Sequence, residues 1–315
     1  MPKVSVIVNC FNGEKYLEQA LDSIYGQTYK DWEIIFWDNL STDQTPVIAQ
    51  SYKDGRLKYF RGSSFLTLGA ARYEAVKHAS GEWVAFLDSD DIWRPEKLEI
   101  QFSDLENSQY ILCYAGISEI NAIGEHIRNV YPMHKSGYVL EQALNQFEIN
   151  MVTAMVKREA LNKFELSFDK AITASEEYNL FVRLAAKGLT LVQPKILGAY
   201  RVHKGSLTDR QIGQWAFERR YTLAQLKEEN PDIQFRFPKA FEEAYARGSY
   251  YEARHLMSKG CIKEARNIMV TIANIDFRYA LLYFSLYFPM LWDILHSNTI
   301  KRVMLARISS LFNKN

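Results

Sequence analysis

Three short apolar runs alternate with helix-like segments at the start of the chain, and this alternation most constrains the fold. The runs are Val4–Val8, Ile34–Trp37 and Trp83–Leu87. Each is short, uncharged and rich in β-branched or aromatic residues, as is typical of a buried strand. Residues 14–25 and 70–79 place apolar side chains at helical spacing between the runs. The alternation predicts an α/β fold with a mainly parallel central sheet flanked by helices.

Polar residues follow each of these runs directly. They are Asn9 to Asn12 after the first run, Asp38 after the second and Asp88 to Asp91 after the third. The carboxyl ends of parallel strands share one edge of a sheet, and ligands of open α/β sheets bind in the crevice beyond that edge. We therefore expect three strands to present polar groups to one ligand site.

The densest polar group is FLDSDDIW at residues 86–93, which carries three carboxylates in four positions. Aspartate is among the least buried residue types unless it is paired or metal-bound. Closely spaced carboxylates suit a hard divalent cation that is shared with phosphate oxygens. Asp38 could accept a hydrogen bond from a base or ribose, and Arg72 could pair with phosphate. This chemistry favours transfer from a nucleotide-linked donor, although a turn with solvated aspartates would carry the same residues.

The overall charge and the cysteines argue against several classes of protein. The net charge is +1, whereas a general nucleic-acid-binding protein is strongly basic. The three cysteines are widely spaced and show no CxxC pattern, which argues against a disulfide framework or a zinc site and indicates a reducing cytoplasm. We expect no signal peptide, because the first apolar run is too short for one.

The carboxy-terminal third of the chain has a helical pattern and no further strand pattern. We expect a catalytic domain over residues 1–210, a helical extension over 211–275 and amphipathic, membrane-associated helices over 276–315. Residues 280–292 are uncharged, and the segment from Ile294 onward contains Lys and Arg but no acidic residue. This pattern predicts either a segment that lies on an anionic membrane face or helices that pack on the protein's own core.

Four segments of the chain resemble one enzyme family, in that family's order. They are VSVIVNCFNGEKYLEQALDSIYGQTYKDWEIIFWDNLSTDQT, GAARYEAVKHASGEWVAFLDSDDIWRPEKLE, EEYNLFVRLAAKG and YRVHKGSLT, which span about residues 3–208. These segments resemble the inverting family 2 glycosyltransferases, which have the GT-A fold. The resemblance implies a hexosyltransferase that uses a nucleotide-diphosphate sugar, with Mn²⁺ or Mg²⁺ bound at the DxD motif.

The same resemblance implies roles for individual residues. Phe11 is expected to stack on the nucleobase, and Asp38 to accept a hydrogen bond from it. Arg72 is expected to approach the base or diphosphate, Asp88 the ribose or metal-bound water, and Asp90 the metal itself. The other implied donor-site residues are Asn9, Asn12, Glu14 and Arg201, and the other implied metal ligand, beside Asp90 and Asp88, is His203. A surface histidine at the end of a strand is the alternative interpretation of that last residue.

The expected catalytic base departs from the family pattern. The family usually has Glu-Asp where this chain has Glu176 and Glu177, so Glu177 takes the position of the base. Glutamate is competent in that role, although it is one methylene longer. Consecutive helical residues diverge by about 100°, so one of the two points into the cleft, and Glu176 is the alternative base. Asn39 and Tyr73 also depart from the family pattern, and neither removes an essential group.

The predicted function is metal-dependent, inverting sugar transfer, with a UDP-sugar as the donor class that the resemblance favours. The carboxy-terminal segment suggests a glycan or lipid-linked glycan acceptor in bacterial surface polysaccharide or lipooligosaccharide synthesis, at the cytoplasmic face of the inner membrane. No nucleic-acid partner is expected. A non-catalytic nucleotide-sugar-binding subunit of a membrane-associated complex is one alternative. It is motivated by Glu177, which stands where the family usually has aspartate. A nucleotidyltransferase is another, but NCFNGEKY is a poor phosphate loop.

Overall fold

A computed structural model describes residues 2–203 and 212–296. Within them the strands form one mixed sheet in the order β3-β2-β1-β4-β8-β6-β9-β5, and β7 pairs with β6. The strands are β1 Val4–Cys10, β2 Trp32–Asp38, β3 Leu57–Arg61, β4 Trp83–Phe86, β5 Ile92–Trp93, β6 Tyr110–Ile120, β7 His126–Val130, β8 Met155–Lys157 and β9 Leu189–Arg201.

Helices cover both faces of this sheet and continue beyond it. The helices of the first two thirds are α1 Leu17–Tyr25, α2 Thr45–Ser51, α3 Leu68–Val76, α4 Lys97–Leu105, α5 Leu140–Asn145, α6 Arg158–Lys163 and α7 Glu176–Ala185. The later helices are α8 Ile212–Glu229, α9 Ile233–Arg236, α10 Pro238–Ser258, α11 Ile262–Met269, α12 Phe277–Ser285 and α13 Pro289–His296.

The predicted parallel arrangement holds for the amino-terminal part of the sheet. Strand β1 pairs in parallel with β2 and β4, and β2 pairs in parallel with β3. Beyond β4 the sheet is mixed, because β8 is antiparallel to both β4 and β6, whereas β9 is parallel to β6. The carboxyl ends of β1, β2 and β4 therefore lie at one edge, as the sequence pattern predicts.

Two apolar cores lie on opposite faces of the sheet. Val6 and Val8 of β1 belong to the core that includes Leu21 of α1, whereas the intervening Ile7 belongs to the core that includes Ala71 of α3. This division follows from the two-residue period of a strand, whose side chains alternate between faces. Helices α1, α2 and α4 cover one face, and α3, α5 and α7 cover the other.

The carboxy-terminal helices are packed onto the second of these faces. Helix α8 lies against α7, and α10 packs against both α8 and α5. A third apolar cluster joins the end of α10 to α11, α12 and α13. None of the helices in the described ranges has the length and apolarity needed to cross a membrane. The predicted segment 276–315 forms α12 and α13 as far as residue 296, and residues 297–315 lie outside the described part.

Candidate active site

The ends of β1 and β2 lie side by side, with Cys10 paired to Asp38. One residue earlier, Asn9 is 8% exposed, and neither polar atom of its amide has a hydrogen-bond partner in the described part of the chain. A buried amide without partners is costly, and a bound polar group would remove that cost. Asn9 therefore marks this edge as a place where a bound ligand could form hydrogen bonds with the buried amide.

Asp38 is fully buried, and its carboxylate is held by three neighbours. It accepts hydrogen bonds from the Ser41 amide at 2.7 Å and from the Tyr59 hydroxyl at 2.6 Å. Arg61 lies 3.3 Å away as an ion-pair partner. These contacts fix the loop after β2. The role of Asp38 as an acceptor for a base stays a prediction, since a carboxylate can accept more than three hydrogen bonds.

Asn12 and Glu14 join the loop after β1 to the loop after β2. The Asn12 side-chain oxygen accepts a hydrogen bond from the Thr42 main-chain amide at 2.8 Å, and the main-chain amide of Asn12 donates to the Ser41 hydroxyl. Glu14 accepts from the Gln44 amide at 2.9 Å. Asn12 has a positive φ of 51°, a conformation that asparagine tolerates better than most residues. Both predicted donor-site residues thus hold the shape of the site's rim.

Two exposed aromatic rings are in contact at this rim. Phe11, which is 49% exposed, lies edge-on to Phe65 with ring centroids 4.8 Å apart. Sequence reasoning missed Phe65, although a lone aromatic in the polar loop after β3 was a usable signal. Asn39 clamps the same loop, donating to the Leu66 carbonyl at 2.9 Å and accepting from its amide at 3.1 Å. An aspartate at position 39 could accept but not donate.

Arg72 of α3 joins the turn at residues 88–91, called the carboxylate turn below, to the start of α7, where the predicted base lies. It is 3% exposed, and its two terminal nitrogens pair with Asp88 and with Glu176. Burial lowers the pKa of the Arg72 guanidinium, but the charges of Asp88 and Glu176 outweigh burial and raise it. Arg72 is therefore a fixed positive charge between two carboxylates. Its neighbour Tyr73 lies against lysine ammonium groups instead, 4.2 Å from that of Lys170.

Asp90 and His203 meet at the end of β9. The Asp90 carboxylate lies 2.9 Å from Nε2 of His203. Burial, followed by the charge of Asp88, raises the pKa of the Asp90 carboxyl. The structure thus places Asp90 beside His203, two of the three residues that the sequence suggested as metal ligands, although these two lie 113 residues apart in the chain.

Arg201 lies behind the carboxylate turn and is 2% exposed. Its Nε donates to the Asp90 carbonyl at 2.8 Å, and its amide donates to Asp91 at 2.8 Å. A terminal nitrogen also donates to Gln19 at 2.8 Å. These contacts fix the turn, and they give Asp91 the structural role that the sequence left unassigned. Contact between Arg201 and a donor stays a prediction.

The side chains around Asp88 and Asp90 determine whether a divalent cation could bind there. In residues 2–203 and 212–296, no group of three or more His, Cys, Asp or Glu side chains is arranged to hold a metal ion. A cation shared with a diphosphate needs only one or two protein carboxylates. Asp88 and Asp90 suit such a cation, because burial and the charge of Asp88 raise the pKa of Asp90, and a nearby positive charge would offset both effects.

The geometry distinguishes the two adjacent glutamates at the start of α7. Glu176 is 3% exposed and forms an ion pair with Arg72. Glu177 is partly exposed, and its carboxylate forms no hydrogen bond or ion pair with the side chain of any other described residue. Burial, followed by the charge of Glu176, raises the pKa of Glu177 to about 8, against a smaller opposing effect of Arg72. Of the two, Glu177 has the carboxylate that is available to take a proton.

Comparison with known proteins identifies the family of this chain. Residues 5–164 match the sequence family described as Glycosyl transferase family 2. The match covers just over half of the chain, so the chain belongs to glycosyl transferase family 2. The resemblance stated from the sequence is thereby confirmed.

Individual relatives share only part of their length with this chain. Over 118 residues it is 36% identical to the Escherichia coli protein WfgD, named UDP-Glc:alpha-D-GlcNAc-diphosphoundecaprenol beta-1,3-glucosyltransferase, covering 38% of this chain and 47% of WfgD. The match to an uncharacterized glycosyltransferase of Rickettsia felis, at 35% identity, covers 49% of this chain and 25% of that protein. The chain thus spans a quarter to a half of these relatives' lengths.

Solved structures establish the fold. Residues 1–349 of S. aureus TarS in complex with UDP-GlcNAc align with a TM-score of 0.70 at 19% identity, covering 93% of this chain and 88% of that one. The mannosyltransferase PcManGT from Pyrobaculum calidifontis, in complex with GDP-Man and Mn²⁺, aligns with a TM-score of 0.55 at 18% identity, covering 93% and 86%. The predicted GT-A fold is therefore confirmed.

Proposed function

We propose that this protein transfers a sugar from a nucleoside-diphosphate donor to an acceptor hydroxyl with inversion at the anomeric carbon. The observation that carries the proposal is the Glu177 carboxylate, which has no side-chain partner among the described residues and lies beside the buried network of Arg72, Asp88 and Glu176. A base works best when its pKa lies near the working pH, and the raised pKa of Glu177 meets that condition.

The chemical step uses Glu177 as the general base. Its carboxylate takes the proton of the acceptor hydroxyl while that oxygen attacks the anomeric carbon from the face opposite the leaving group. A new carbon–oxygen bond forms as the bond to the donor phosphate breaks, and the electron pair leaves with the nucleoside diphosphate. Arg72 stays protonated throughout and keeps Asp88 and Glu176 fixed.

Asp88, Asp90 and His203 are the residues that would hold Mn²⁺ or Mg²⁺. The metal would supply positive charge to the diphosphate leaving group. On the protein's side, Arg201 holds the main chain of the turn at Asp90, so the carboxylates are oriented before a donor arrives. The Mn²⁺ in the PcManGT complex supports a divalent cation at this kind of site.

The donor site extends from this turn to the rim at the ends of β1 and β2. The exposed rings of Phe11 and Phe65 suit the face of a nucleobase, since base–aromatic stacking accepts any base. The unsatisfied amide of Asn9 is available to the same ligand. The UDP-GlcNAc in the TarS complex and the name of WfgD support a UDP-sugar as the donor.

We extend the proposal to a lipid-linked glycan acceptor of bacterial surface polysaccharide, at the cytoplasmic face of the inner membrane. The diphosphoundecaprenol in the name of WfgD supports this acceptor class. Phe277, Leu281, Phe284 and Phe288 are exposed at the spacing of one helical face on α12 and the turn after it. Basic residues but no acidic ones follow in residues 297–315. An apolar face beside basic residues suits an anionic lipid surface.

A nucleotide-sugar screen tests the donor part of the proposal. Thermal melting with Mn²⁺ should show stabilisation by one class of donor, because a ligand that binds only the folded state raises the melting temperature. Asp90→Ala should abolish both that stabilisation and transfer while the melting temperature of the ligand-free protein stays close to normal. Binding without any transfer or donor hydrolysis would instead favour a non-catalytic subunit.

Vesicle sedimentation tests the membrane part. The Leu281→Ser, Phe284→Ser double variant should bind phosphatidylglycerol vesicles more weakly than the unchanged protein. Phe235→Ser, which removes an exposed aromatic from α9, should bind as the unchanged protein does. Equal binding by all three proteins would refute the membrane contact.

A further inference from the structure

Glu218 of α8 is a buried carboxylate that lies outside the family match and is 1% exposed. Among the described residues, every hydrogen bond that this carboxylate accepts comes from one short loop. It accepts from the amide and hydroxyl of Thr173 at 2.7 and 2.8 Å, from the Ala174 amide at 3.1 Å and from the Ser175 hydroxyl at 2.8 Å. A single side chain thus satisfies four donors of residues 173–175.

That loop leads directly into the first turn of α7, which carries Glu176 and Glu177. Ser175 is the N-cap residue of α7, yet its side chain does not cap the helix and bonds to Glu218 instead. Helix α3 holds the loop from the opposite side, because a Cβ on Gly69 would lie 2.9 Å from the Ile172 carbonyl. The loop therefore has little room to shift between α3 and α8.

Further polar contacts join α7 to α8 along the two helices. Asn179 donates to Thr222 at 3.0 Å and to Gln225 at 2.7 Å. One turn further along α7, Arg183 donates to Glu229 at 2.6 Å. Because hydrogen bonds depend on direction, this interface fixes how α7 is rotated about its own axis. That rotation decides which of two consecutive glutamates faces the cleft.

We infer that Glu218 is a positioning residue, which holds the start of α7 so that Glu176 pairs with Arg72 and Glu177 stays free for the acceptor hydroxyl. The inference rests on the proposed function, because it assigns Glu177 as the base. The carboxy-terminal extension thereby contributes to catalysis without touching the substrate. The charge of Glu218 also reaches the site. Burial raises the pKa of Glu176, the charge of Arg72 opposes that increase, and the charges of Asp88 and Glu218 add smaller increases.

The test compares Glu218→Gln with Glu228→Gln, a matched change at an exposed position of the same helix. Glu218→Gln should lower kcat about tenfold or more, because small displacements of a catalytic group are costly. The KM for the donor and the Kd for UDP with Mn²⁺ should stay unchanged. The pH dependence of kcat should move, and hydrogen exchange at the Thr173 and Ala174 amides should become faster. Glu228→Gln should leave all of these unchanged.

Ser175→Ala removes one hydrogen bond to Glu218 and keeps the test valid if the glutamine variant fails to fold. It should change kcat in the same direction and by a smaller factor. If Glu218→Gln and Ser175→Ala lower only the melting temperature, with kcat per UDP-binding site and its pH dependence unchanged, the inference is wrong. Absence of transfer and donor hydrolysis in the unchanged protein would instead refute the proposed function, and normal transfer by Glu177→Gln would refute the role of Glu177 as the base, so these failures are distinguishable.

Discussion

Arg72 of α3 and Glu176 of α7 form an ion pair in which both side chains are only 4% exposed. The same guanidinium also pairs with Asp88 of the carboxylate turn. One residue thus connects the turn after β4 with the first turn of α7. Because this contact uses Glu176, the adjacent Glu177 is the carboxylate that remains available.

Replacing Arg72 should therefore affect stability and activity together. Arg72→Met leaves Glu176 buried without a partner, and losing one member of a buried pair costs about 3 kcal/mol or more of the free energy of unfolding. Transfer should be lost as well. The Arg72→Met, Glu176→Gln double variant should regain part of the stability in urea denaturation but none of the activity. Full activity in the double variant would show that the network has no part in catalysis.

The pH dependence of transfer should follow the Glu177 carboxyl. A base must be deprotonated to act, and the pKa of Glu177 is raised to about 8 by burial and by the charge of Glu176. The value of kcat/KM should therefore rise with pH and level off above about pH 8, since this parameter reports the free enzyme. A profile that is level from about pH 5 upward would mean that the base keeps the ordinary glutamate pKa.

Asn39→Asp tests whether the hydrogen bonds between Asn39 and Leu66 stabilise the site's rim. The change removes the donor to the Leu66 carbonyl and places a charge at a position that is 6% exposed. We expect the loop that carries Phe65 to loosen, and the Kd for UDP to rise about tenfold, equivalent to 1.4 kcal/mol. Calorimetry on Asn39→Asp and Phe65→Ala should show weaker binding in both. Unchanged affinity in both would remove Phe65 from the donor site.

Lys97 gives a prediction about stability alone. It is fully buried beside the Trp93 ring, its ammonium group has no hydrogen-bond partner in the described part of the chain, and burial lowers its pKa to about 7. The unfolded chain binds this proton below about pH 10.4, but the folded protein binds it only below about pH 7. The contribution of Lys97 to stability therefore falls as the pH decreases through that window.

Lys97→Met should remove this penalty. The gain in the free energy of unfolding should be on the order of 3 kcal/mol at pH 7 and should shrink toward pH 10. Lys53→Met, at an exposed position, should change little in the same urea titrations. A loss of stability in Lys97→Met would mean that the ammonium group has a favourable partner in the folded protein.

The parts of the site that the sequence made predictable are those carried by local pattern. Strand ends follow from apolar runs and the polar residues after them, so the shared edge of β1, β2 and β4 could be expected before the structure was known. The choice between Glu176 and Glu177 could not be made from local pattern. It depends on Arg72, which lies about a hundred residues earlier and reaches Glu176 only after the chain has folded.

The parts that could not be predicted depend on contacts between distant segments. Arginine is a residue type that commonly binds phosphate, yet the guanidinium of Arg201 is buried and hydrogen-bonded to Asp90 and Gln19. Glu218 looks like an ordinary charged residue of a helix, and no motif connects it to residues 173–175. Both roles arise where elements from different parts of the chain pack together, and side-chain spacing in the sequence does not report such packing.

The most direct test of the central claim is the turnover of Glu177→Gln, measured beside Glu176→Gln with the best donor from the screen. Glutamine keeps the shape of the side chain but cannot accept a proton, and general base catalysis contributes about 10²–10⁴-fold to rate. We expect Glu177→Gln to bind UDP with normal affinity and to lose at least about a hundredfold in kcat. Near-normal kcat in Glu177→Gln would contradict the assignment of Glu177 as the base.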